Sequence, residues 1–206
     1  MSSTEPVAFL NGDFFSASMA RISAGDRGFL YGDGLFETIR VHDARPFLWE
    51  WHMMRFTDGA VSLGIALPQT TESLLGNVHE LIRRNSMSES VMRIALSRGV
   101  GERGYGVTGE EQPTLLITQH SPPTTPAKPL SLVSTSARVA IGDPLAKVKS
   151  ANKLASILAK RDAANQGADD GFILNSDGNV TETSSANLFW VEGGTLRTPP
   201  VSDGVL

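Results

Sequence analysis

The sequence contains no cysteine, which excludes disulfide bonds and cysteine-ligated metal sites. It also lacks an apolar run long enough to cross a membrane, and its beginning, M-S-S-T-E-P, lacks the basic and apolar regions of a secretory signal. Histidines are few, and no metal-ligand spacing connects them: His42, His52, His79 and His120. We therefore expect a cytoplasmic protein without a metal site and without a membrane span.

Basic residues are scarce as well. The 18 Lys and Arg residues are dispersed and are outnumbered by 22 Asp and Glu, which gives a net charge of −4. Neither nucleic acid nor an acidic membrane is therefore an expected partner. The 206 residues, 40% of them hydrophobic, suffice for one large domain or two small ones with a sizeable core.

The first part of the chain carries both strand and helix signals. Residues 7–10 and 14–15 flank an Asn-Gly dipeptide, whose positive φ suits the tight turn of a β-hairpin. Residues 26–41, D-R-G-F-L-Y-G-D-G-L-F-E-T-I-R-V, begin with glycines and continue as a strand rich in β-branched and aromatic residues. Further predicted elements are a return strand at 46–49, helices at 51–63 and 70–85, and strands at 91–98 and 114–119. Residues 1–119 are thus predicted to form an α+β domain.

A proline-rich connector divides the chain at residues 120–129, H-S-P-P-T-T-P-A-K-P, because proline is too rigid and too poor in donors for a sheet interior. Residues 130–206 are the predicted C-terminal domain, which begins with a strand at 130–137. A helix is predicted from K-S-A-N-K-L-A-S-I-L-A-K, in which Leu154, Ile157 and Leu158 fall at i, i+3 and i+4. Its expected N-cap is Ser150 or Asn152.

A second hairpin is predicted after this helix. Residues 171–174 read as a buried strand, Ser176-Asp177-Gly178-Asn179 as a turn, and Val180 onward as the returning strand. Lys149 then lies just before the helix, and Glu182 lies on the strand after the turn. A lysine and a distant carboxylate carry no functional information alone, because both residue types mostly lie on solvated surface.

The sequence motifs around Lys149 and Glu182 do carry functional information. K-S-A-N at 149–152 and G-A-D-D-G-F-I-L-N-S-D-G-N-V-T-E-T-S-S-A-N-L-F-W-V at 167–191 resemble the class IV aminotransferases, the fold type IV enzymes that use pyridoxal 5′-phosphate (PLP). The resemblance implies a two-domain α+β fold like that of D-amino acid aminotransferase. It also implies that Lys149 carries the cofactor as a Schiff base and that Glu182 pairs with the pyridine nitrogen. Among the neighbouring lysines, only Lys149 has an asparagine three positions on, unlike Lys147 and Lys153.

The same resemblance implies roles for residues of the first domain. H-x-x-R-[LF] matches His52 to Phe56, so Arg55 is expected to bind the PLP phosphate, a task that suits a fork of charged donors. Y-G-D-G-x-F-E-T-x-R resembles the strand that lines the substrate side, which implicates Tyr31, Thr38 and Arg40. Without that context, the Gly32-Asp33-Gly34 loop is only a weak phosphate-binding signal, because no P-loop lysine follows.

Two further arginines are expected on the substrate side. S-R-G-x-G-x-R-G-Y at 97–105 resembles a loop of the 4-amino-4-deoxychorismate lyases of this family, in which the arginine faces substrate carboxylates. The resemblance implies this role for Arg103. Arg93 stands at a strand position where some of these lyases carry lysine, so its charge fits the substrate side.

Three functions are open at this point. Thr38 and Arg103 favour a lyase that converts 4-amino-4-deoxychorismate to 4-aminobenzoate and pyruvate in folate biosynthesis, with Thr38 relaying a proton to the leaving group. The alternative is a transaminase of branched-chain or D-amino acids, which uses the same Lys149 and Glu182 and differs only on the substrate side. The third is a non-catalytic remnant, since the family pattern continues for about one more third of the C-terminal domain beyond the position of Leu206. The resemblance also implies a homodimer.

Overall fold

In the computed structural model of the protein, residues 5–206 are described. The segment 1–4, where we expect no secretory signal, lies outside the described residues. Two compact units are present, one formed by the described residues up to Pro123 together with Lys149–Ala151, the other by Thr124–Val148 and Asn152–Leu206. Lys149–Ala151 therefore belong with the first unit, whereas the prediction of one continuous domain at 130–206 grouped them with the second. A membrane span needs a long apolar helix, and residues 5–206 contain none.

The first unit contains a six-stranded sheet in which all paired neighbours are antiparallel. Its strands are β1 Val7–Leu10, β2 Asp13–Ser16, β3 Gly34–His42, β4 Arg45–Pro46, β5 Ser90–Val100 and β6 Gln112–His120. They lie in the order β2-β1-β6-β5-β3-β4. The hairpin predicted around Asn-Gly is confirmed as β1 and β2.

Three helices belong to the first unit: α1 Arg27–Tyr31, α2 Trp49–Leu63 and α3 Thr71–Asn85. The predicted α3 is confirmed, and its N-cap Thr70 accepts a hydrogen bond from the Ser73 amide. Helix α2 packs on β3, and α3 packs on β1 and β6. Both cover one face of the sheet, whose buried side chains include Ile39, Ile94 and Ile117.

Two local predictions for this unit differ from the structure. The return strand expected at 46–49 ends at Pro46, and the chain turns through a left-handed residue, Leu48, into α2. Helix α1 was not predicted, because glycines surround it. Its start is nevertheless marked by an acidic N-cap, since the Asp26 carboxylate accepts a hydrogen bond from the Gly28 amide at 2.8 Å.

The second unit is built on a three-stranded sheet of β7 Leu132–Val139, β8 Asp170–Asn175 and β9 Val180–Thr183. Strands β7 and β8 are parallel and are joined through α4 Leu154–Asn165, while β8 and β9 form the predicted hairpin. A further hairpin, β10 Trp190–Glu192 and β11 Thr195–Arg197, was not predicted. The N-cap of α4 is Lys153, so the caps predicted at Ser150 and Asn152 are wrong.

Candidate functional site

Strand register brings rows of side chains onto the face of the first sheet opposite α2 and α3. The rows are Gly34, Ser97 and Thr114, then Phe36, Ala95 and Leu116, then Thr38, Arg93 and Thr118. Glu37 points to the helix side, because neighbouring residues of a strand face opposite ways. The register thus sets Thr38 directly opposite Arg93, two residues along β3 from Phe36.

A pocket of about 490 Å³ lies on this face. Its floor is formed by the first two rows and Arg93. Its wall is formed by Ala151, by Ile22 and Ala24 of the segment that leads into α1, and by Phe29 of α1 itself. Asp26 closes one side, where its carboxylate accepts hydrogen bonds from the hydroxyls of Ser97 and Thr114 at 2.9 and 2.7 Å. The pocket combines an apolar lining with one cationic side chain, a combination that suits small organic ligands bearing an anionic group.

Lys149 is held next to this floor by main-chain pairing with β3. The Phe36 amide donates to the Lys149 carbonyl at 2.9 Å, and the Ala151 amide donates to the Gly34 carbonyl at 2.8 Å. The side-chain nitrogen of Lys149 lies 5.2 Å from the centroid of the Phe36 ring. Gly34 permits the close packing here, since a Cβ at this position would lie 2.5 Å from the Leu96 carbonyl oxygen. The glycine thus serves the close approach of β3 and β5.

Arg93 contacts the same aromatic ring. Its Cζ lies 3.7 Å from the Phe36 centroid, within cation–π range, and no carboxylate pairs with it among residues 5–206. Arg93 remains exposed, and the partial burial of its guanidinium lowers the pKa from its ordinary value. The structure therefore gathers Lys149 and Arg93 around Phe36, with Thr38 beside them.

Arg55 lies on α2, on the other side of β3. Its Nε and Nη2 donate to the two carboxylate oxygens of Glu37 at 2.6 and 2.7 Å, and His52 Nδ1 lies 2.8 Å from Glu37 Oε2. The Glu37 side chain is 0% exposed and that of Arg55 is 36% exposed. Within the part of the chain that the structure describes, the third guanidinium nitrogen of Arg55, Nη1, has no hydrogen-bond partner.

The contacts among Glu37, His52 and Arg55 fix the charges of Glu37 and Arg55. Burial raises the pKa of Glu37, but hydrogen bonds from His52 and Arg55 outweigh it and hold the pKa below its ordinary value. The hydrogen bonds with Glu37 in turn raise the pKa of Arg55. Glu37 thus orients the charged guanidinium of Arg55 and leaves its Nη1 nitrogen accessible.

Tyr31 and the loop of Arg103 lie together, outside the pocket lining. The Gly104 amide donates to the Tyr31 hydroxyl at 3.1 Å, and the rings of Tyr31 and Tyr105 meet edge to face at 5.5 Å. The Arg103 side chain is exposed. Arg40, at the far end of β3, is also exposed and pairs with Glu89. These three predicted residues are not brought to the pocket floor.

Glu182 belongs to the second unit, on β9. Its neighbours Thr181 and Thr183 are buried, and their hydroxyls donate to the carbonyls of Ile173 and Ala186. Alternation along the strand sends the Glu182 side chain to the opposite, half-buried side. Glu182 thus belongs to the second unit, whereas Lys149, Arg55 and Arg93 belong to the first. Residues 5–206 bring no three His, Asp or Glu side chains together in a metal-binding cluster.

Sequence reasoning missed several residues that build the site, namely Asp26, Arg27, Asp33, Phe36 and Glu37. Glu37 carried a readable signal. It occupies the second position of the alternating set Leu35, Glu37, Ile39 and Val41, where the period of a half-buried strand demands an apolar residue. A carboxylate at such a position needs a buried cationic partner.

Known proteins resemble this chain over most of its length. A putative branched-chain-amino-acid aminotransferase of Methanocaldococcus jannaschii is 38% identical over 200 residues, covering 96% of this chain and 69% of the relative. The aminodeoxychorismate lyase of Bacillus subtilis is 30% identical over 202 residues, with coverage of 96% and 69%. The crystal structure of a putative 4-amino-4-deoxychorismate lyase from Legionella pneumophila has a TM-score of 0.85 at 33% identity, covering 92% of this chain and 70% of that one.

The donor set fits the cofactor of such enzymes. Solved branched-chain aminotransferases similar to this chain include complexes with pyridoxamine 5′-phosphate and with N-(5′-phosphopyridoxyl)-L-glutamate. PLP presents an aldehyde, a phosphate and a pyridine nitrogen, and this chain offers the amine of Lys149, the oriented guanidinium of Arg55 and the carboxylate of Glu182. The family model for class IV amino-transferases matches residues 34–206. The chain therefore belongs to the class IV aminotransferase family.

Proposed function

We propose that the protein is a PLP-dependent lyase that converts 4-amino-4-deoxychorismate to 4-aminobenzoate and pyruvate, a cytoplasmic step of folate biosynthesis, and that it works as a homodimer. One observation carries the proposal. Thr38 stands directly opposite Arg93, next to the Phe36 ring that Lys149 overlies. A hydroxyl and a guanidinium beside the lysine suit the departure of an anionic leaving group.

The chain's own residues supply the proton transfers. When bound, PLP supplies an electron sink next to the amino-bearing carbon of the substrate. The Lys149 amine takes the proton from that carbon as general base. Thr38 passes a proton to the ether oxygen, the carbon–oxygen bond breaks, and the ring becomes aromatic. The released enolpyruvate gains a proton on its methylene carbon and loses its enol proton to become pyruvate.

Other residues bind and orient. Arg93 pairs with a substrate carboxylate at the pocket floor, where its guanidinium can donate to both carboxylate oxygens. Arg103, Tyr31 and Arg40 complete the proposed substrate-binding set from the more exposed side. For the cofactor, Arg55 offers its Nη1 donors to the phosphate, and Glu182 holds the pyridine nitrogen protonated.

The second candidate is transamination of an amino acid with an apolar side chain. The 38% identity to a relative named as a branched-chain aminotransferase favours it, and so does the largely apolar pocket. In that reaction Lys149 moves a proton from the substrate's Cα to the cofactor, and Thr38 has no proton to deliver. The two reactions therefore differ in their need for the Thr38 hydroxyl.

Product analysis tests the proposal. The purified chain is incubated with PLP and 4-amino-4-deoxychorismate, or with leucine or D-alanine and 2-oxoglutarate, and 4-aminobenzoate, pyruvate and glutamate are quantified. We expect 4-aminobenzoate and pyruvate in equal amounts, and their loss in Lys149→Ala. Glutamate formation without 4-aminobenzoate would replace the lyase by the transaminase. A chain that forms no product and leaves no borohydride-trapped PLP on Lys149 would be a non-catalytic remnant.

A matched pair of variants tests the proton relay. Thr38 and Thr118 flank Arg93 on either side in one row. Thr38→Val removes the hydroxyl and keeps the shape, so we expect lyase kcat to fall by roughly a hundredfold or more. Thr118→Val should leave kcat within about twofold of wild type, since general acid–base assistance is lost only where the relay is lost. Equal kcat values for the two variants would contradict the relay.

A further inference from the structure

Asp33 joins two arginines at the start of β3. Its Oδ2 accepts from Arg27 Nε at 2.9 Å and from Arg98 Nε at 2.8 Å, and its Oδ1 accepts from Arg98 Nη2 at 3.1 Å. The side chains of Arg27 and Arg98 are only 4% and 11% exposed. One carboxylate thus compensates two largely buried guanidiniums, and the proposed reaction uses none of the three.

The other donors of Arg27 hold the loop that carries Arg103. Its Nη1 donates to the Gly104 carbonyl at 2.9 Å, with a longer contact to Glu102, and its Nη2 donates to the Tyr105 carbonyl at 3.3 Å. The loop packs against the same side chain, since a Cβ at Gly101 would lie 2.8 Å from Arg27 Cδ. The backbone on both sides of Arg103 is therefore bound to one guanidinium.

The other donors of Arg98 hold the end of α2. Nη2 donates to the Leu63 carbonyl at 2.7 Å, and Nη1 donates to the Gly64 carbonyl at 2.9 Å. These carbonyls lie at the C-terminal end of the helix, where a cation also complements the helix dipole. The same helix carries His52 and Arg55.

The carboxylate keeps its charge in this setting. Burial raises the pKa of Asp33, but hydrogen bonds from Arg98 and Arg27 outweigh it and hold the pKa below its ordinary value. Without that charge, the two guanidiniums would face each other uncompensated, so neither would keep its position.

We infer that Asp33 is a positioning residue that fixes, through Arg27 and Arg98, both the 101–105 loop and the C-terminal end of α2 against β3. The contacts of Arg27 and the contacts of Arg98 form two arms, and the two arms have different consequences for binding. The Arg27 arm sets the loop that presents Arg103 to the substrate, and the Arg98 arm sets the helix that presents Arg55 to the cofactor phosphate. This division of effects rests on the proposed function, while the ordering of the two segments does not.

Three variants of the full chain separate the arms: Arg27→Lys, Arg98→Lys and Asp33→Asn. Lysine keeps the charge beside Asp33 but loses the fork that binds the carbonyls. For Arg27→Lys we expect amide hydrogen exchange at 101–105 to accelerate by roughly tenfold or more, with KM for the substrate raised by a similar factor and the Kd for PLP unchanged. For Arg98→Lys we expect faster exchange at the end of α2 and a raised Kd for PLP, with KM little changed. Asp33→Asn should show both effects.

Glu80 provides the matched control. It also joins two arginines, Arg83 and Arg84, but on the exposed surface of α3. Glu80→Gln should change neither exchange in the two segments nor KM nor Kd. Should Asp33→Asn fail to fold, the two lysine variants test the arms singly.

The outcomes are distinguishable from failure of the proposed reaction. Hydrogen exchange needs neither substrate nor cofactor, so accelerated exchange at 101–105 and at the end of α2 supports the positioning role even in a chain without lyase activity. Unchanged exchange in all three variants would overturn it, whether or not the wild type is active. Altered exchange with KM and Kd both unmoved in an active enzyme would overturn the link to binding.

Discussion

Helix α3 of the first unit and helix α4 of the second unit bury different residues. Helix α3 buries a stripe of large side chains, Leu74, Val78, Leu81 and Ile82, against the sheet. Helix α4 buries Ala159 and Ala163, while Leu154 and Ile157 are 66% and 61% exposed. A stripe with helical period therefore identifies residues that share a face, but it does not identify the face that packs.

Close approach explains which face of α4 packs. A Cβ added at Gly171 would lie 3.1 Å from the Ala159 carbonyl oxygen and 3.3 Å from the Ala163 Cβ. The helix and β8 thus meet through three small residues, and large side chains would hold them apart. In the second unit, contact depends on small side chains, whereas in the first unit it depends on large ones.

Leu81→Ala should have the largest effect on this contrast. Leu81 is fully buried between α3 and the sheet, so its truncation leaves a cavity and should lower the free energy of unfolding by about 2–5 kcal/mol. Amide exchange over α3 measures the loss directly. An exchange rate over α3 like that of the wild type would mean that the first unit does not depend on this stripe.

Glu37→Gln should have the next largest effect on stability, because it removes a charge that is buried in the first unit. The variant loses charged hydrogen bonds with Arg55 and His52 and should cost about 1.5–3 kcal/mol at pH 7. Because the folded pKa of Glu37 lies below its ordinary value of 4.5, its stabilisation is present above that pH and is lost as the pH falls through the folded pKa.

The pH dependence of thermal unfolding checks this sign. Between pH 6 and pH 3 the wild type should lose stability, and Glu37→Gln should lose less of it. Glu192→Gln in the second unit is the control, because Glu192 forms an exposed pair with Arg197 and should leave the pH profile as it is. Parallel profiles for the wild type and Glu37→Gln would contradict the prediction.

Gly171→Ala tests the close contact between α4 and β8 in the second unit. A methyl group there meets the Thr135 side chain and the α4 backbone, so we expect a cost of about 1 kcal/mol or more from overpacking. Gly76→Ala, on the open side of α3, is the matched control and should not destabilise, since nothing lies within 4 Å of the added Cβ. Urea unfolding of the two variants measures the difference.

Ile157→Ser should have the smallest effect. The side chain is largely exposed in the chain as described, so its replacement should change the free energy of unfolding by no more than about 0.5 kcal/mol. A loss as large as that of Leu81→Ala would remove the contrast between the two helices. Urea unfolding under the same conditions makes the comparison.

Much of the fold was predictable, because local signals decided it. The Asn-Gly hairpin, the Thr70-capped helix α3 and the turn before β9 all follow from nearest-neighbour chemistry. Helix α1 was missed because its glycines obscured the Asp26 cap. The cap predicted at Ser150 failed because Ser150 pairs with Leu35 of β3, a contact that only the tertiary structure provides.

The site was predictable by residue type more than by arrangement. The family strings selected Lys149, Thr38 and Arg93, but their grouping around Phe36 depends on the register of β3 and β5. Register is a long-range property that one sequence does not encode locally. The pairing of Arg55 with Glu37 was predictable in part. The buried carboxylate was visible in the strand pattern, but its partner was not.

Two hydrogen bonds between main-chain atoms pair Lys149–Ala151 with β3. Because the side chain at position 149 takes no part in those two hydrogen bonds, alanine can occupy that position without removing them. Replacing the lysine therefore removes an amine and leaves its scaffold in place. A small primary amine added to Lys149→Ala from solution would meet an intact site, so recovery of turnover with amine concentration would measure the chemistry of the missing group alone.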